Sequence, residues 1–277
     1  MLNHIGRFGV NTISLMSANF VARQVGYHMT EGWAQGERAT NEYFRPLETF
    51  GQRFEELLVT VRSMGFDAID IWTAHLNWAW ATDRHIAIAR DLLDRHALAV
   101  ASLAGGFGAT AEEFDAACRL AVALHAKVLG GGAPFYDAQR DEAIATLVRH
   151  DLTLGIENHP GVETPEQMLA KIGDGGHGRI GTAVDTGWYG TVGLDAAQAI
   201  EQLGEYVFHV HLKDVRAPGS HETCRYGQGI VPIQACVEAL QQLGYKGAIS
   251  VEHEPEDFDP TEDCKANLAL LRQWLRQ

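Results

Sequence analysis

The stretch Leu152-Thr-Leu-Gly-Ile-Glu-Asn-His159 decides how the rest of the chain is read. Apolar, β-branched and small residues run unbroken up to Ile156, and three polar residues follow. This is how a strand buried in a parallel sheet reads when its C-terminal end delivers polar side chains. Three more runs downstream share the form: Ile180 to Gly187, Tyr206 to Lys213 and Ala248 to Glu254. Four shorter or less polar ones lie upstream: Phe8 to Leu15, Ala68 to His75, Ala97 to Leu103 and Lys127 to Gly131. Most are about one βα unit apart, and amphipathic stretches fill the gaps.

Eight strand–helix units predict a single (β/α)8 TIM barrel spanning residues 1–277. An open doubly wound sheet would have fewer strands and a glycine-rich fingerprint after the first, and neither GxGxxG nor a Walker A motif occurs. Thr110 with Glu113, and Thr164-Pro165 with Gln167, read as capping boxes at helix starts. Phe54, Leu57, Leu58, Val61 and Met64 have the spacing of a helix face laid on a sheet. Asp137 to His150 reads as a short helix. Met16 to Thr49 is too long for an ordinary βα loop and carries Tyr27, His28, Trp33, Tyr43 and Phe44. It reads as a lid inserted between strand one and helix one, with a surface excursion as the plainer alternative. Arg216 to Gly229 is a second long polar connection at the mouth.

The composition, 46% hydrophobic and 21% charged over 277 residues, is that of a soluble globular protein, and no run reaches the ~18 apolar residues of a membrane span. A formal charge of −14, from 22 basic against 36 acidic residues, disfavours a nucleic-acid partner. The start, Met-Leu-Asn-His-Ile-Gly-Arg-Phe-Gly, lacks a secretory pattern, so a cytoplasmic location is expected. Cys118, Cys224, Cys236 and Cys264 form no CxxC pair and are expected to be free thiols.

Barrel enzymes work at the C-terminal ends of their strands. On the last four runs those ends carry Glu157, Asp185, His211 and Glu252. Any one alone reads as a cap or salt-bridge partner. Together, on neighbouring strands, they would converge on one arc of the mouth, where three carboxylates without a cation repel at low dielectric. A divalent cation resolves this, and three oxygen donors with one imidazole suit Mn²⁺, Mg²⁺ or Co²⁺, with Zn²⁺ also admissible.

Side-chain alternation puts Glu157 with His159 on one face of the fifth run, and His209, His211 and Lys213 on one face of the seventh, so that His159 and Lys213 point toward the mouth. His159 is thus a candidate hydroxyl ligand and Lys213 a candidate oxyanion stabiliser, against strand-end closure and pairing with an acid. His209, a layer deeper, reads as structural, and Asp70 as a barrel anchor. Trp72, His75, Trp78 and Trp80 fall near the rim, where rings can stack on sugar faces and a histidine can move protons; core closure is the alternative. Arg216 and Arg225 can reach a phosphate or polyol, with surface solvation as the plainer account.

These residues resemble the xylose-isomerase-like barrel superfamily of sugar epimerases and isomerases, hydroxypyruvate isomerase, inosose dehydratase and, more distantly, endonuclease IV. The resemblance rests on Gly-Ile-Glu-Asn-His at 155–159, Val-Asp-Thr-Gly at 184–187, Val-His-Leu-Lys-Asp at 210–214, and Tyr-Lys-Gly-Ala-Ile-Ser-Val-Glu-His-Glu at 245–254. It implies the same ligands, Glu157, Asp185, His211 and Glu252. The family commonly has Asp-x-x-His in run six, whereas Trp188 stands here in the histidine position as a candidate substrate contact.

The expected activity is metal-dependent isomerisation or epimerisation of a ketose or related polyol, with Glu157 and Glu252 exchanging a proton through an enediolate. Dehydration of a keto-polyol such as an inosose is the nearest alternative. The missing histidine and the acidic charge disfavour phosphodiester hydrolysis, and the complete ligand set disfavours an inactive binding barrel. The resemblance leaves a homodimer open as the assembly.

Overall fold

The structure, a computed structural model, describes residues 12–276. Its strands are β1 (Ile13–Met16), β2 (Ala68–Trp72), β3 (Ala99–Gly106), β4 (Val128–Gly132), β5 (Thr153–Glu157), β6 (Ile180–Asp185), β7 (Val207–Leu212), β8 (Asp214–Val215), β9 (Thr223–Cys224) and β10 (Ile249–Val251). Its helices are α1 (Trp33–Phe44), α2 (Leu47–Met64), α3 (Asp83–Arg95), α4 (Ala111–Ala123), α5 (Pro134–Ala138), α6 (Arg140–His150), α7 (Pro165–Ile172), α8 (Thr186–Thr191), α9 (Ala196–Leu203), α10 (Ile233–Gln242) and α11 (Thr261–Trp274).

Eight parallel strands close in the order β1-β2-β3-β4-β5-β6-β7-β10, the TIM barrel that the strand–helix alternation predicts. β8 and β9 form a separate antiparallel ribbon beyond the end of β7. Outer helices bury one face each. α2 turns Phe50, Phe54, Leu57, Leu58, Val61 and Met64 inward, and each such side chain contributes about 1.5–3 kcal/mol of burial. The expected capping boxes at Thr110 and Thr164 are present, and Thr82 with His85 forms a third. Glycine is required where β3 and β4 approach. Gly131 has φ +144°, and a Cβ there would lie 2.1 Å from the Gly105 carbonyl oxygen.

Several boundaries differ from the sequence reading. Residues 8–11 of the first expected strand lie outside the described residues, and β1 begins at Ile13. β2 stops at Trp72, so His75 falls in the following turn. The sixth run does not extend to Gly187. Asp185 ends β6 and accepts hydrogen bonds from the Gly187 and Trp188 amides, which turns the chain directly into α8. The 16–49 segment is not an irregular loop, since 3₁₀ turns at Ser17–Phe20 and Arg23–Val25 lead into the twelve-residue α1. Gly36 lets α1 lie against Val21 and Met29, where a Cβ would meet atoms of both within 3 Å. The short helix expected at Asp137 to His150 is two, α5 and α6.

The barrel interior is polar at one level. Asp70, fully buried on β2, accepts from Ser14 of β1 and Ser250 of β10, both at 2.5 Å, and from Ser102 of β3 at 2.6 Å. His209 Nε2 of β7 lies 2.6 Å from the same carboxylate. All four cysteines are free and buried. No helix among the described residues is long and apolar enough to cross a membrane.

Candidate active site

The ends of β5, β6, β7 and β10 are adjacent, and they bring the expected charged residues together. Glu157 is the last residue of β5, His211 lies on β7 in register with Asp185, and Glu252 follows β10. The Glu252 amide still donates to the Leu212 carbonyl, so the ladder carries this residue to the rim. His211 Nδ1 is 3.2 Å from Glu157 Oε1 and 3.3 Å from Glu252 Oε2. Donor atoms of these three residues all lie within 4.8 Å of one another, a group able to hold a metal ion.

Asp185 stands beside this group but is engaged elsewhere. One oxygen caps α8, and the other accepts from Lys213 Nζ at 2.9 Å. Lys213, buried just past β7, also reaches Glu252 Oε1 at 3.2 Å and Glu254 Oε2 at 2.8 Å. The structure therefore answers the repulsion expected among the carboxylates with two cationic centres. The His211 imidazole lies between Glu157 and Glu252, and the Lys213 ammonium among Asp185, Glu252 and Glu254.

Burial alone would raise the carboxyl pKa values of both Glu157 and Glu252, but their neighbours separate them. His159 and His211 outweigh burial at Glu157 and hold it well below the usual carboxylate range. At Glu252, burial reinforced by the Glu254 charge outweighs Lys213 and His211 and pushes it well above that range. Burial disfavours the charged form of His211, yet Glu252 and Glu157 overcome it and raise its pKa to about 10. Lys213 is likewise raised, because Asp185, Glu252 and Glu254 outweigh its burial.

A divalent cation fits this set. Glu252 Oε2 has no aligned hydrogen-bond partner despite its closeness to His211, and His211 Nε2 has none either. Two carboxylates otherwise share one imidazole Nδ1, and a cation between them would take over the role of the ring proton. Asp70, His209 and His211 form a second group of suitable spacing. Serine hydroxyls and His209 already surround that Asp70 carboxylate, so it reads as a satisfied internal hub.

Of the other candidates, His159 is half-exposed with Nε2 3.2 Å from Glu157 Oε2. Trp188, in the first turn of α8, lies 5.0 Å from the His159 ring and 3.7 Å from that of His221. Trp72 and His75 are buried under α1, with Trp33 5.5 Å from Trp72 and Phe44 4.8 Å from His75. Trp78 and Trp80 are tied to Gly106 and Asn41 through their indole N–H groups. Arg216 is not brought to the cluster. It is half-exposed, and Glu222 holds its guanidinium at 2.6 Å. Arg225 is similarly taken by Asp263. Sequence reasoning missed Glu254, which ends a quoted motif without a role, and His221, which lies in a loop with no periodicity. It also missed Asn158, whose amide clips Asp185 in place.

Fold and site together define a (β/α)8 barrel with an acid–imidazole cluster at the C-terminal mouth. The chain belongs to the xylose isomerase-like TIM barrel family, whose model matches residues 58–274. L-ribulose-5-phosphate 3-epimerase of Escherichia coli is 34% identical over 71 residues, 26% of this chain and 24% of that protein. The chain spans less than half the length of the curated relatives it matches. Among solved structures, D-allulose 3-epimerase from Methylomonas sp. has a TM-score of 0.68 at 16% identity, covering 96% of this chain and 99% of that one. A probable 3-DHS dehydratase from Bacillus anthracis has a TM-score of 0.65 at 15% identity, covering 94% and 98%. At those identities the structural likeness is one of fold.

Proposed function

We propose that the protein is a divalent-metal-dependent isomerase or epimerase that acts on a ketose or related polyol by proton transfer. One observation carries the reading: Glu157 and Glu252, from strands to either side of β7, both face His211 Nδ1, at 3.2 and 3.3 Å. A substrate bound beside this group would have carboxylates from two strands within reach. The sequence similarity to L-ribulose-5-phosphate 3-epimerase and the fold shared with D-allulose 3-epimerase support it.

Glu157, His211 and Glu252 would hold the cation, with Asp185 as a fourth ligand once its Lys213 contact is exchanged. When bound, the ion supplies Lewis-acid polarisation of a carbonyl. Glu157 takes the proton from the carbon beside that carbonyl. Glu252 returns one, to the former carbonyl carbon in isomerisation, where the adjacent hydroxyl also passes its proton to the former carbonyl oxygen, or to the opposite face of the same carbon in epimerisation. Lys213 keeps Glu254 neutralised while this happens. His159 favours dehydration as a second reading, because its half-exposed ring beside Glu157 can hand a proton to a departing hydroxyl.

Turnover in D₂O tests the proposal. At metal saturation, product should carry deuterium at a carbon next to the carbonyl, and Glu157→Gln and Glu252→Gln should each lower turnover at least ~10²-fold. Turnover without solvent deuterium would overturn it in favour of direct hydride transfer between adjacent carbons.

A further inference from the structure

We propose that His253 is a positioning residue: from the outer side of the barrel wall it fixes the chain segment that carries Glu252, and so sets how tightly the mouth holds a divalent ion. The inference rests on the metal centre proposed above and adds to it a residue that touches neither ion nor substrate.

β10 is three residues long, and Glu252 lies one past its end. The Glu252 amide makes the last ladder bond, to the Leu212 carbonyl at 3.0 Å. The next two amides turn to side chains instead. That of His253 donates to Asn19 Oδ1 at 2.8 Å, and that of Glu254 to Thr223 Oγ1 at 3.1 Å. The carboxylates of Glu252 and Glu254 both reach Lys213 Nζ. Alternation therefore turns the residue between them away from the mouth, toward α11.

There the imidazole is fully buried and has a partner at each nitrogen. Nδ1 lies 3.1 Å from Thr223 Oγ1, the hydroxyl that also accepts from the Glu254 amide. Nε2 lies 3.1 Å from Asp263 Oδ2 in the first turn of α11. The other Asp263 oxygen accepts from Arg225 Nε at 2.9 Å, and the Phe258 ring stands 5.7 Å from the imidazole. The turn after β1, strand β9 and helix α11 thus converge on one residue, and none of these contacts uses a group placed in the metal centre.

Glu252 itself is held less fully. Its Oε1 shares Lys213 with two other carboxylates, and its Oε2 has no aligned hydrogen-bond partner. That second oxygen is left to be placed by the backbone beneath it. A rotation of residues 252–254 would swing it out of the group it forms with Glu157 and His211, whose donor atoms lie within 4.8 Å of one another. Metal affinity depends steeply on such placement, and groups that orient a ligand without touching the ion are worth ~10–100-fold in affinity. His253 has that standing, one peptide unit from the ligand and anchored at both ring nitrogens.

Mn²⁺ is the probe, and its Kd is measured by calorimetry on the full chain freed of metal. Wild type is compared with His253→Phe, which keeps a ring and loses both bonds, with His253→Gln, whose amide can still bond Asp263, and with Thr223→Val, which keeps the shape at the other end. Mn²⁺ should bind His253→Phe and Thr223→Val at least ~10-fold more weakly, with His253→Gln between them and wild type. Val61→Ala, on the buried face of α2, is the control: it should lower melting and leave the Kd unchanged. An unchanged Kd in His253→Phe overturns the proposal, and so does weaker binding in Val61→Ala, because affinity would then follow stability alone. If His253→Phe does not fold, an unchanged Kd in Thr223→Val overturns it. No Mn²⁺ binding by wild type would overturn the metal centre and this proposal together. If Mn²⁺ binds with the expected His253 dependence but turnover exchanges no solvent deuterium, proton transfer fails while His253 stands.

Discussion

Between Glu157 and His159 stands Asn158, whose buried side-chain amide does the work of a missing ladder rung. It donates to the Asp185 carbonyl and accepts from the Asp185 amide, both at 2.8 Å. The ends of β5 and β6 are thereby tied where backbone pairing has run out. Asn158→Ala would leave both buried Asp185 backbone groups unpaired, so stability should fall by about 2–4 kcal/mol. Urea unfolding checks this, and a loss below about 0.5 kcal/mol would mean that water replaces the clip. The motif was visible in sequence, but its middle residue had no assigned role because a neutral amide does not show what it bonds. The diversion of Asp185 to Lys213 was hidden for a related reason. A long lysine can meet any of several acids, and strand alternation gives its face without giving its partner.

The barrel strands were largely legible, since each is a short run of apolar and small residues, as burial on both faces demands, and polar residues end the later ones; the two-residue strands β8 and β9 were too short to read. Helix α1 was not legible either. Its N-cap is Gly32, which provides no side-chain cap, and Gly36 interrupts its helix-forming run. What makes it a helix is tertiary: Gly36 close against Val21, Trp33 on Trp72, and Asn41 bonded to Trp80. These contacts place α1 over the β2 side of the mouth, and we propose that it closes over bound substrate and excludes water. Cleavage by a protease within residues 26–32, where several side chains are exposed, should slow when metal and ketose are both saturating. Equal cleavage rates with and without them would remove the lid assignment.

For the molecule as a whole, the acid–imidazole cluster predicts that metal binding and folding are linked. A cation that binds only the folded barrel stabilises it by about 2.7 kcal/mol at a hundredfold excess over its Kd. In a chain of this size that corresponds to a rise of several degrees in Tm. Melting with Mn²⁺ or Mg²⁺, and again with chelator, measures the effect; indifference to both would sink the metal centre. The barrel has another long-range tie in Asp70, whose carboxylate collects groups from β1, β3, β7 and β10. Ser250 lies 180 positions along the chain from it. A partly assembled barrel that lacked the last strand would leave this buried charge short of a donor. Half-barrels are thereby penalised, and the last strand is held in the closed ring by a hydrogen bond to a buried charge as well as by apolar packing.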